Sequence, residues 1–168
     1  MNNDSNEKFR KTNSHLYFWG SEYSQWFKKD GIIQEDGVKY SSAEQYMMAK
    51  KAELFNDLSI KKEILNSSNP NKIKKLGRKI SNFNEKIWDD NKIEIVTQGN
   101  FLKFSQNKEL NNLLIMDKEL IIVEASPVDK IWGVGLHFDD NLVLEEKNWN
   151  GENLLGICIM KARKKILK

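Results

Sequence analysis

The chain has 168 residues, 39% hydrophobic, 30% charged and 10% aromatic, which suits one soluble domain with its own core. A formal charge of +3 with dispersed lysines falls short of a nucleic-acid-binding stripe, and no apolar run approaches the roughly 20 residues that span a bilayer. One cysteine, Cys158, excludes an internal disulfide, and two histidines, His15 and His137, leave too few donors for a transition-metal site.

The polar opening MNNDSNEKFRKTNS has no signal-peptide h-region and reads as a flexible tail over 1–14. One domain over 15–168 follows, with the cytoplasm as the expected address. HLYFWG (15–20) is a short aromatic strand, and GIIQEDGVKY (31–40) carries a hairpin signal at Asp36-Gly37.

SSAEQYMMAKKAELF (41–55) then starts a helix over about 42–56, with Ser41 and Glu44 at capping-box spacing. At about 100° per residue, Met47, Met48, Leu54 and Phe55 share one apolar face, and Glu44 and Lys51 fall in its middle. Gln45, Ala49, Lys50 and Glu53 point elsewhere, toward solvent. Burying a charge costs several kcal/mol unless it is paired. Either Glu44 caps the helix and Lys51 snorkels to water, or the two line a polar cleft.

In SSNPNKIKKLGRKI, Asn69 caps a helix with Pro70 at its first position, and Ile73, Leu76, Gly77 and Ile80 line one face. Helical character runs from Glu85 to Phe104, interrupted at Gly99, and KELNNLLIM gives another short helix. ELIIVEA (119–125) is a buried strand, SPVDKIWGVG (126–135) a loop, and a last helix starts at Asn153. The sum is a helix-rich α+β single domain with a small antiparallel sheet.

Chemistry concentrates in VEASPVDKIWGVG, where Glu124 follows the buried strand, Asp129 sits in the loop, and Trp132 precedes Gly133 and Gly135. Trp132 can stack on a base or close the core; Asp129 can serve a reaction or hold a turn. The amides of Gln106 and Asn107 either satisfy loop backbone or bind a ligand. Arg78, next to Gly77, suits a phosphate but equally a solvated helix face. Cys158, in LLGICIM, reads as a packed core residue.

Together the stretches FW and YSQWF, YSSAEQYMMAKKA, IKKLGRKI, GNFLKFSQN, LIIVEASPVDKIWGVG and WNGENLLGICIMKAR resemble, in this order, the NADAR domain or YbiA-like family. The likeness runs from about Phe18 to Arg163. It implies an N-glycosidase that hydrolyses the bond between ribose C1 and an exocyclic amine. The expected substrates are ribosylaminopyrimidine phosphates of riboflavin synthesis, with ribose 5-phosphate released. Alternatives within the family are removal of ADP-ribose from guanine in nucleic acid, or a non-catalytic module holding ADP-ribose or NAD.

The family's acid falls on Glu44 and its lysine, seven residues on, falls on Lys51 rather than Lys50. The D-x-x-W-G motif falls on Asp129, Trp132 and Gly133, and the tryptophan after the L-G-R helix on Trp88. The resemblance thus implies Glu44, Lys51 and Asp129 as catalytic residues. The expected substrate-binding residues are Trp19, Arg78, Trp88, Gln106, Asn107, Trp132 and Gly133. No metal and no cofactor is expected, and no membrane partner. Met47-Met48 depart from the aromatic and glutamine common in the family, which bears on specificity.

Overall fold

The computed structural model describes residues 8–168. The expected tail over 1–14 is a strand in part: Phe9–Lys11 forms β1, while residues 1–7 lie outside the described residues. β1 pairs antiparallel with β2 (His15–Phe18), and Lys11 reaches Asp117 at 2.8 Å, anchoring this segment to the body.

The Asp36-Gly37 signal is met by a hairpin of β3 (Ile33–Glu35) and β4 (Val38–Tyr40). Both turn residues take positive φ, 51° and 78°, as a primed turn requires. Six α-helices follow: α1 (Ala43–Leu54), α2 (Leu58–Leu65), α3 (Pro70–Gly77), α4 (Glu85–Ser105), α5 (Lys108–Met116) and α6 (Leu154–Ile166). Strand β5 (Ile121–Glu124) lies between α5 and α6.

The sheet differs from expectation. Its order is β1-β2-β5, and β2 pairs parallel with β5, so only the β1 edge and the separate hairpin are antiparallel. A parallel neighbour needs a long crossover, which α1 to α5 supply. The period-2 alternation of strands distributes the pair between two cores. Leu16, Phe18 and Ile122 enter the main core with the helices, while Tyr17 and Val123 pack on the other side with Val134, Phe138 and Val143.

Helix α1 sits at the centre, walled by α2, α3 and α4. Its first two turns are buried nearly all round, Gln45 and Ala49 included, so the single apolar face expected for it is wrong. Ser42, not Ser41, is the N-cap, accepting from the Gln45 N–H at 3.1 Å; Gln45 in turn accepts from the Ser41 N–H at 2.7 Å. The box is displaced by one residue, which leaves Glu44 free of capping. Gly99 does not break α4, because a side chain there would overlap the Tyr46 ring and the glycine lets the two helices approach. Among the described residues no helix is long and apolar enough to cross a membrane.

Candidate active site

Because β2 and β5 run parallel, both end on the same side of the molecule, and the chain leaving each one walls a common cleft. Trp19 and Gly20 follow β2; Ser126, Val128, Asp129, Ile131 and Trp132 follow Glu124 at the end of β5. Helices α1 and α3 form the opposite wall with Glu44, Met47, Met48, Lys51, Lys74 and Arg78, and Trp88 of α4 adds to it. The enclosed volume is about 530 Å³. Space beyond the carboxyl ends of parallel strands is where α/β sheets commonly place a ligand.

Glu44 lies in the first turn of α1, 4% exposed, with its backbone N–H donating to Gln25 O at 2.9 Å. Burial pushes its carboxyl up to about 7; Asp129 adds to the rise, while Lys74, Lys51 and the Trp26 side chain oppose it. Lys51 is two turns along the same face, about 10.5 Å of helix rise away. Its Nζ donates to Gly77 O at 3.3 Å and lies over the rings of Phe83 and Trp88, 4.4 and 5.2 Å from their centroids.

Burial lowers the Lys51 pKa, and Arg78 lowers it further, against the pull of Glu44. The aromatic faces attract the cation without neutralising it, so the site keeps the amine oriented while making its free base accessible. A side chain at Gly77 would overlap the Met48 sulfur, so the glycine is what lets α3 present its carbonyl so close to α1. Lys50 faces away: it pairs with Glu35 at 2.8 Å, which holds its pKa up in spite of burial.

Asp129 uses Oδ1 to accept the backbone N–H groups of Ile131 and Trp132, at 2.9 and 2.8 Å. It both shapes the loop and lines the cleft. Trp132 presents itself to the cleft from that turn, with Trp19 across the mouth at 41% exposure. Lys74 on α3 and Arg78, its C-cap four residues on, both line the cleft.

Of the expected set, Glu44, Lys51, Asp129, Trp19, Arg78, Trp88 and Trp132 meet in the cleft. Gln106, Asn107 and Gly133 do not line it. Gln106 exchanges two hydrogen bonds with the Gln34 backbone, at 2.8 Å each, acting as a substitute strand partner for β3. Asn107 donates to Ile32 O and Lys103 O. Gly133 packs against the carbonyls of Glu124 and Asp129, where a Cβ would meet both at about 3 Å. All three build the scaffold.

Trp26, Lys74 and Glu124 also line the cleft; sequence reasoning passed over the first two and noted Glu124 without giving it a role. Lys74 was legible only through its i, i+4 spacing to Arg78 on an otherwise solvated lysine-rich helix. Trp26 lies on the loop after β2, with Lys74 Nζ 5.9 Å from its ring centroid. Glu124 had one signal, a carboxylate ending a buried apolar run.

The NADAR domain model matches residues 8–167 of the chain. The N-glycosidase R617 of Acanthamoeba polyphaga mimivirus is 46% identical over 164 residues, covering 91% of this chain and 96% of that protein. The N-glycosidase YbiA of Escherichia coli strain K12 is 29% identical over 134 residues, 80% of this chain and 75% of that protein. An NMR structure of E. coli YbiA superposes with a TM-score of 0.74 over 95% of this chain and 89% of that one, at 24% identity. The α+β architecture, a helix-rich domain with small sheets, is therefore common to both.

Proposed function

The chain belongs to the NADAR domain family and is a hydrolase acting on N-glycosyl bonds; from that premise we propose that it cleaves ribosylaminopyrimidine phosphates and releases ribose 5-phosphate. The observation that carries the mechanism is the Lys51 amine, half-buried between the Gly77 carbonyl and two aromatic faces and with its pKa lowered. Burial that disfavours the ammonium leaves more of the nucleophilic free base near neutral pH.

In such a substrate the sugar C1 bears an exocyclic amine, so the ring opens to an imine. The Lys51 amine adds to C1, forming a C–N bond. The original C1–N bond breaks with its electron pair going to the departing aminopyrimidine, which takes up a proton. Water then adds to the lysine imine and frees the sugar and the amine of Lys51. Glu44, poised near neutrality two turns from Lys51 on the same wall of the cleft, serves as the acid and base of ring opening.

Arg78 and Lys74 suit the 5-phosphate, and Trp132, Trp88 and Trp19 offer flat faces to the pyrimidine. Asp129 keeps Trp132 in place and adds negative charge near the carboxyls. A carboxylate-activated water attacking C1 directly is the competing route, in which Lys51 only binds.

A second substrate reading rests on the exposed apolar rim, Trp19, Trp26, Val128 and Ile131, which favours a ligand longer than a nucleotide. ADP-ribosyl-guanine in a single strand fits that description. Incubating the protein with each substrate and quantifying released sugar decides between them. Ribose 5-phosphate from the pyrimidine nucleotide supports the first reading. Free ADP-ribose from modified nucleic acid, with the nucleotide left intact, overturns it.

A further inference from the structure

We propose that Glu124 is a further catalytic residue: a carboxylic acid held in its neutral form at the end of β5, which protonates the leaving nitrogen. This rests on the N-glycosidase reading of the cleft and adds the group that makes the amine a competent leaving group.

The backbone of Glu124 is fixed from both sides. Its N–H donates to Asn153 Oδ1 at 3.0 Å, and its carbonyl accepts from the Val134 N–H at 3.0 Å. Asn153 was expected only as the cap of α6. It caps nothing with its side chain; in a left-handed conformation, φ 53°, its amide instead bonds β5, donating to Ile122 O at 2.9 Å. Gly133 closes over the Glu124 carbonyl at a distance no side chain would tolerate. The strand end is thus a rigid post, and its side chain stands in the cleft wall.

Among the described residues, Glu124 Oε2 is closed from solvent and has no hydrogen-bond partner. An ionised carboxylate with one oxygen so placed is costly, whereas a neutral carboxyl has a proton to offer to a group entering the cleft. The surrounding charges act in the same direction. Asp129 and Glu44 face it as anions and Lys74 is the cation that opposes them, so burial first and then the two carboxylates push the group up to about 8. Glu44 and Glu124 therefore differ in setting: two lysines oppose the rise at Glu44, and Lys74 alone does so at Glu124.

The step balances. As the C1–N bond breaks, its electron pair passes to nitrogen and the Glu124 O–H proton follows, leaving a carboxylate. That carboxylate, repelled by Asp129 and Glu44, recovers a proton from the water that hydrolyses the lysine imine. Acid and base roles alternate on one oxygen, and no other reactant enters.

The test compares wild type with Glu124→Gln on two ribosylamine 5-phosphates, one carrying an aminopyrimidine and one a nitro-substituted aniline. On the aminopyrimidine, Glu124→Gln lowers kcat by about 10²–10⁴-fold with KM little changed, and the alkaline limb of the pH profile near 8 disappears. On the electron-poor amine, which departs without a proton, the variant approaches wild-type kcat. A thermal melt at or above that of wild type shows the variant folded. Equal losses on both substrates, or an unchanged kcat and alkaline limb, overturn the inference while leaving the N-glycosidase reading intact. Absence of sugar release by wild type from both substrates overturns that reading and the inference together.

Discussion

Replacing Glu44 by glutamine is expected to make the protein more stable and less active at once. Glu44 is 4% exposed and its carboxyl titrates at about 7 in the fold, against 4.5 when unfolded. Between those values the folded state keeps a proton that the unfolded chain has lost, so stability falls as pH rises through the window. Above pH 7 the whole cost remains, about 3 kcal/mol at about 1.4 kcal/mol per pH unit. Glutamine keeps the shape and removes the charge. For a domain of this size about 1 kcal/mol moves Tm by roughly 2–4 °C, so the variant should melt about 6–12 °C above wild type at pH 8. The advantage should shrink toward zero near pH 4.5, where both side chains are neutral. Paired melts at the two pH values, with sugar release measured on the same samples, check both halves. A Glu44→Gln protein melting at or below wild type at pH 8 would refute the reasoning, because the buried charge would then be stabilising.

Three further outcomes follow from the same geometry. Trp132→Ala should weaken substrate binding by about 1–3 kcal/mol, read as a rise in KM with the far-ultraviolet circular dichroism unchanged. Asp129→Asn retains the Oδ1 acceptor for Ile131 and Trp132 but removes a charge that raises both glutamates, so the alkaline limb of the rate profile should move to lower pH. Lys103 is fully buried with Nζ on Ser24 O at 2.8 Å, and burial, opposed weakly by Glu22, lowers its pKa to about 7. Unfolded chains hold that proton up to about 10.5, so wild-type stability gains from this group as pH rises from 7 to 10; Lys103→Met should lose that gain in pH-dependent denaturation.

Sequence patterning conveyed much of this fold because most elements carry local signals. Asn69 accepts from the Lys72 N–H and Pro70 opens α3 as their types require, and the Asp36-Gly37 turn closes its hairpin. The parallel β2–β5 pair had no such signal: its partners lie more than 100 residues apart, and pairing direction is set by the intervening helices. α2, eight residues capped by Asp57, was too short for its periodicity to stand out.

The helical wheel failed at Gln45 and Ala49 for a related reason. A wheel assumes one buried face, and α1 is enclosed by neighbours on nearly every side. It did bring Glu44 and Lys51 to one face, and both line the cleft, where charge on a buried stripe conflicts with folding. Gln106 and Asn107 misled because an amide serves backbone and ligand equally well, and here hairpin carbonyls take both. Glu124 stood in view at the end of IIVE. The fixed backbone that presents it depends on Gly133 and Asn153 closing around the strand end, contacts that no local pattern encodes.

The central claim is that the amine of Lys51 bonds to the sugar, and borohydride reduction during turnover tests it most directly. Lys50 is the adjacent control, its amine held by Glu35 at 2.8 Å on the far side of α1. Mass spectrometry of the reduced, digested protein should find the sugar fixed to Lys51 and absent from Lys50, and Lys51→Ala should abolish both adduct and turnover. Full turnover by Lys51→Ala, or rapid turnover by wild type with no adduct trapped, would contradict the account and favour water activated by a carboxylate.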